Sequence, residues 1–212
     1  MFVVSGGVGD LLQCLPFVME NKSESYIVSS HFKQSEEFFN KFDISPKITI
    51  SYSDYYGWLD SLKIIETLMA IPIPRTTFFT TNPFPEKRKR FDDKPILGLH
   101  LGYSEWSVSN DTVHGYIPKK ITPDIFGIIP EDYNVLVFVN DSEYKEFSNK
   151  YPETDSFKYV NEKDITHSLS YVSQCDAFIG SDSAYKTMSS MLGIPTIVLH
   201  GDYVDNQRDI NF

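Results

Sequence analysis

The stretch "FVVSGGVGDLLQCLP", residues 2–16, sets Gly6, Gly7 and Gly9 immediately ahead of Asp10, between one apolar run and the next. A glycine turn leading from a strand into a helix ordinarily cradles phosphate, because the unpaired N–H groups of the first helical turn point at an anion. A carboxylate in that place repels an anion. Asp10 therefore either caps the helix that follows or acts on something other than phosphate, with the neighbouring glycines leaving room for close approach to the backbone.

A second stretch suits an anion better. In "CDAFIGSDSAYKTMSSMLGIPTIVLHGD", residues 175–202, a short apolar run ends in Gly180-Ser181-Asp182-Ser183, and Ala184, Tyr185 and Lys186 open the next helix. The first N–H groups of that helix and its positive dipole end face the turn, so a pyrophosphate can sit there, with Lys186 adding a cation to a leaving diphosphate. The plainer alternative makes Asp182 or Ser183 an N-cap, worth ~1 kcal/mol. The two roles are compatible.

Other residues are further candidates. His100 lies near a strand end beside Gly102, within reach of phosphate, and equally a structural histidine. Glu143 follows Asn140-Asp141 at a helix start, where it can hold a ribose or base or answer the helix dipole. Tyr103 and Trp106 can stack on a base or sugar or pack in the core. Asp202, Asp205 and Arg208 line a cleft or a solvated tail.

The elements that must position these residues alternate. Strands are predicted at 2–5, 26–29, 47–52, 96–101, 134–139, 177–179 and 196–200, with helices at 10–21, 33–42, 58–69, 143–150, 164–173 and 185–192. Pro16 falls inside the first helix and should kink or shorten it. Leu59, Leu62, Ile65 and Met69 form an apolar stripe on the third. Strands alternating with helices imply parallel α/β sheets. The stretch from Ile71 to Pro95 breaks the pattern with five prolines and the run Lys87-Arg88-Lys89-Arg90. A boundary there predicts two Rossmann-like domains facing a cleft, 1–90 and 91–212, the first reduced in size.

Composition bounds the partners. A net charge of −10 over 212 residues argues against general attraction to nucleic acid, and the Lys87 to Arg90 run reads first as a solvated linker. Cys14 and Cys175 lack metal-ligand spacing and lie in or beside apolar segments, which predicts buried free thiols in a reducing compartment. With no basic leader and no apolar run near the ~18–20 residues of a membrane span, the expectation is a cytoplasmic protein, or one peripheral to a membrane.

Residues 175–202 resemble the signature of the heptosyltransferase-type glycosyltransferases of family 9: a strand, a Gly-x-Asp-Ser/Thr-Gly turn, a helix and a Gly-x-Pro strand. The opening stretch is similar to that family's other marker, a first strand followed by Gly-Asp and an apolar helix containing proline. "PILGLHLGYSEW" resembles the start of its second domain. Ala184 stands where the family has glycine, Thr187 where it often has histidine, and the family's basic loop residue has no clear counterpart between Gly102 and Tyr116.

The resemblance implies a GT-B fold and metal-independent, inverting transfer of a sugar from a nucleotide-diphosphate sugar to an acceptor hydroxyl, without a cofactor. It implies Asp10 as general base, Gly6, Gly7 and Gly9 on the acceptor side, and donor binding by residues 180–186 with His100, Gly102 and Glu143. A saccharide such as lipopolysaccharide is the first acceptor to consider. A hydroxymethylated base in DNA, touched by the Lys87 to Arg90 run, is a second. A module that binds the nucleotide sugar without catalysis is a third reading.

Overall fold

The computed structural model describes residues 1–84, 93–102, 123–181 and 183–199. Its first sheet contains β1 (Phe2–Ser5), β2 (Tyr26–Ser30), β3 (Ile48–Ser51) and β4 (Ile71–Pro72), in the order β3-β2-β1-β4. The second contains β5 (Ile96–His100), β6 (Asn134–Phe138), β7 (Phe157–Val160), β8 (Ala177–Gly180) and β9 (Thr196–Val198), in the order β7-β6-β5-β8-β9. Every pairing in both sheets is parallel. All the strands of one sheet thus precede residue 73 and all those of the other follow residue 95. The expected boundary at 90/91 falls outside the described residues.

Among the described residues the α-helices are α1 (Val8–Glu20), α2 (Ser35–Asn40), α3 (Tyr55–Thr67), α4 (Asp141–Lys150), α5 (Ile165–Val172) and α6 (Ala184–Met191), with a 3-10 helix at Pro123–Ile128. β2, β5 and β6 are buried along their whole length, as parallel strands covered on both faces must be. One core gathers Leu11, Leu12, Leu15 and Val18 of α1 with Met188 and Met191 of α6 and with Phe138 and Phe178 of the second sheet. Helices α1 and α6 therefore join the two sheets. A second core on the other face of the β5–β8 sheet holds Leu97, Leu99, Val135, Val137 and Phe147.

Several local expectations are corrected. Helix α1 opens at Val8 rather than Asp10, because Gly7 already serves as its N-cap. Pro16 does not shorten it, and the helix continues to Glu20. The apolar stripe of α3 is split: Leu59 and Ile65 are half-buried, whereas Leu62 is 37% and Met69 85% exposed, and Met69 lies beyond the helix end. The residue buried there is Ser61, whose hydroxyl accepts from Ser29 Oγ of β2 at 3.0 Å and donates to Trp58 O. A small residue there lets the helix approach the sheet closely. The proline-rich stretch also supplies β4, which pairs with β1 through Phe2↔Ile71 and Val3↔Pro72.

Candidate functional site

In each sheet the chain leaves a central strand toward one edge and later returns on that strand's other side. The switch point lies between β1 and β4 in the first sheet and between β5 and β8 in the second. Loops leaving the carboxyl ends diverge at such points and open a crevice, the usual ligand site of open α/β sheets.

At the first switch point Ser5 ends β1, and Gly6 turns the chain with φ +118°, a conformation that requires glycine. A Cβ on Gly6 would stand 2.2 Å from Asp10 Oδ2. Asp10 is the third helical residue, not the N-cap, and its Oδ2 accepts the Gly7 N–H at 2.8 Å. That bond is the return half of a capping box, so the carboxylate supports the helix start from within. Its Oδ1 pairs with Arg75 Nη1 at 2.8 Å, the Arg75 side chain being 55% and the Asp10 side chain 32% exposed. His31, just past β2, packs on Gly7, where a Cβ would meet its Cε1 at 2.8 Å. Burial lowers the His31 pKa, opposed by the Asp10 charge. Burial and then the Asp10 charge push the Tyr52 phenol up to about 12. The His31 and Tyr52 rings lie 5.8 Å apart.

At the second switch point the predicted donor residues divide by burial. Ser181 is fully buried; its hydroxyl donates to Gly102 O and lies 3.3 Å from His100 Nδ1. His100 is buried against Tyr185, with ring centroids 4.6 Å apart, and burial holds it down to about 4, so it is neutral at pH 7. The Tyr185 hydroxyl in turn meets Ser168 Oγ at 2.8 Å. Gly180 is needed where β8 closes on β5: a Cβ there would meet His100 O at 2.8 Å. These groups lock the strand ends and the start of α6 together.

The rim is built from the others. Ser183 is the N-cap of α6 and accepts from the Lys186 N–H at 3.4 Å, leaving Ala184, Tyr185 and Lys186 in the first turn. Glu143 closes a capping box with Asn140: its Oε2 accepts the Asn140 N–H at 2.9 Å. The same carboxylate leans over Gly102, where a Cβ would stand 2.0 Å from Oε1. Asp182, Tyr103, Trp106, Asp202, Asp205, Arg208 and the Lys87 to Arg90 run lie outside the described residues.

The two switch points meet through their helices. A Cβ on Gly9 of α1 would stand 3.1 Å from Thr187 Oγ1 and 3.8 Å from Ala184 Cα of α6. The first turn of α1, which holds Asp10, thus packs on the first turns of α6, with the Asp10 carboxylate folded back over Gly6 and Gly7. Arg75, His31 and Tyr52 were not among the residues read from sequence. Arg75 sits in the proline-rich stretch that breaks the alternation of strands and helices, and the "IPIP" just before it, apolar residues with prolines, is a signal that could have suggested an edge strand there. A separate cavity of about 450 Å³, lined in part by Lys41, Phe42, Phe84, Asp164 and His167, lies where Lys41 of the first half pairs with Asp164 of the second.

Two doubly wound parallel sheets with their switch points joined in this way define an α/β protein of GT-B-like fold. No family model and no curated protein matches the chain, so the family 9 resemblance rests on its motifs. Among solved structures, a protein described as a UDP-N-acetylglucosamine 2-epimerase from Listeria monocytogenes is similar over 94% of this chain and 79% of its own, with a TM-score of 0.59 and 10% identity. At that identity the likeness is one of fold. Among the described residues, no helix is long and apolar enough to cross a membrane.

Proposed function

We propose that the chain binds a nucleotide-diphosphate sugar between the two switch points and transfers the sugar, with inversion, to an acceptor hydroxyl, most simply on a saccharide in the cytoplasm. The observation that carries this reading is the contact of Gly9 with Ala184 and Thr187, which brings the first turn of α1, with Asp10 in it, against the first turns of α6. In this reading the first N–H groups of α6 and the Lys186 ammonium meet the diphosphate. The Asp10 carboxylate takes the acceptor proton as the acceptor oxygen bonds to the anomeric carbon. The bond from that carbon to the diphosphate oxygen breaks, and its electron pair leaves with the nucleoside diphosphate. The GT-B-like fold, shared with a protein named for a UDP-sugar, supports a nucleotide-sugar ligand.

The test is release of nucleoside diphosphate from UDP-, ADP- and GDP-sugars, with and without saccharide acceptors, by the full chain and by Asp10→Asn. Transfer that depends on Asp10 supports the reading; near-normal turnover by Asp10→Asn eliminates the base role. A second reading, binding without transfer, is favoured by the pairing of Asp10 with both the Gly7 N–H and Arg75. Saturable binding of a nucleotide sugar with no turnover on any acceptor selects it.

A further inference from the structure

We infer that Arg75 is a ligand of the donor's diphosphate, held by Asp10 until the donor arrives, so that donor binding releases the base. The inference rests on the nucleotide-sugar reading above. Arg75 and Asp10 leave the two strands, β4 and β1, that flank the first switch point. The backbone on both sides of Arg75 is tied down: Ile73 N–H donates to Val3 O at 3.1 Å, and Thr76 donates to Gln13 O through its N–H at 2.9 Å and its hydroxyl at 3.0 Å. Thus the loop rides on β1 and α1, while the side chain itself is more than half exposed.

The guanidinium carries five N–H donors, more than the Asp10 Oδ1, 2.8 Å from its Nη1, can take up. Its remaining capacity suits a second oxyanion. Gly9 of α1 meets Ala184 and Thr187 of α6, so the helix that carries Asp10, the partner of Arg75, packs at its first turn on the helix that carries Lys186, and the two cations come from opposite halves. In a chain of net charge −10, such cations weigh heavily for an anionic donor. A diphosphate carries more charge than a carboxylate and accepts an arginine fork at several oxygens. When it draws the guanidinium away, the Asp10 carboxylate loses its cation and is left to accept the acceptor's proton. Donor first, acceptor second is the order this imposes.

The experiment measures binding of inorganic pyrophosphate, UDP, ADP and GDP by calorimetry, with uridine as the phosphate-free control. The proteins are the full chain, Arg75→Gln, Arg75→Lys, Asp10→Asn and the Asp10→Asn/Arg75→Gln double variant, each checked for an unchanged circular dichroism spectrum. Losing charged hydrogen bonds should weaken pyrophosphate and diphosphate binding by about tenfold or more in Arg75→Gln and by less in Arg75→Lys. Asp10→Asn should bind them more tightly than wild type, and the double variant should lose most of that gain. Uridine binding should not change. Unchanged pyrophosphate and diphosphate affinity in Arg75→Gln overturns the inference, as does a gain from Asp10→Asn that persists in full without Arg75. If the wild-type chain binds none of the four phosphorylated probes, the nucleotide-sugar reading itself fails, and the inference with it.

Discussion

Gly9 of α1 and Thr187 of α6 touch across the two halves of the chain, closely enough that a single added methyl would come within 3.1 Å of the threonine hydroxyl. The contact carries the proposed geometry, since it brings the first turn of α1, which holds Asp10, against the helix that opens at Ala184. It also gives a structural use to Thr187 and Ala184, the positions at which the motif departs from family 9.

Enlarging Gly9 should therefore strain the joint between the halves. Gly9→Leu is expected to cost about 1–3 kcal/mol through overpacking, read as a lower urea midpoint. Thr187→Ala in the same chain should recover part of it. A Gly9→Leu midpoint equal to wild type means the helices are not in contact in solution.

Gly6 is constrained by both its φ of +118° and the Asp10 carboxylate folded over it. Gly6→Ala should destabilise the chain by about 1–3 kcal/mol and displace Asp10 from the Gly7 N–H. Thermal unfolding measures the first effect, and transfer activity the second; activity should fall further than stability alone explains.

Asp10→Asn separates structure from chemistry. The amide oxygen can still accept from Gly7, and a half-exposed ion pair contributes only about 0–1 kcal/mol, so the melting temperature should move little. Turnover on a working donor and acceptor should fall by roughly 10²–10⁴-fold, the usual range for a general base. Steady-state rates at matched folding decide it.

Acid should destabilise the fold through His100. Burial lowers its pKa from 6.5 to about 4, so between those values the unfolded chain binds a proton that the folded chain does not. Stability must then rise with pH across that window and fall as pH drops through it. His31, lowered in the same direction by burial, adds to the slope. Urea midpoints from pH 7 to pH 4 should fall less steeply in His100→Gln than in wild type; equal slopes remove the assignment.

Both thiols should be slow to react in the native state. Cys14 and Cys175 are free and buried, and burial pushes the Cys14 thiol up to about 11 and the Cys175 thiol higher still. A thiol reagent at pH 8 should label them only after urea unfolding. Prompt labelling of either in native protein contradicts the burial described.

Much of this architecture was open to reading in the sequence because local rules agree with one another. Apolar runs such as Ile96 to His100 and Asn134 to Phe138 are long enough for buried strands, and intervening segments have helical spacing. Parallel pairing follows from alternation alone. Ser183 at an N-cap and Gly193, with φ +72° just beyond α6, punctuate their helix as their chemistry requires.

What the amino-acid order determined by itself was the α/β class, the two glycine turns, and the residues available at them. Only the tertiary structure decided how those residues are used. Arg75 meets Asp10 because β4 returns beside β1, a pairing of distant segments that no local spacing announces. His100 and Ser181 are turned inward where two strands end together, while α3 buries Ser61, against Ser29, more completely than its leucines. Local propensity acts over a few residues, whereas ion pairs, burial and helix rotation depend on which surfaces come together.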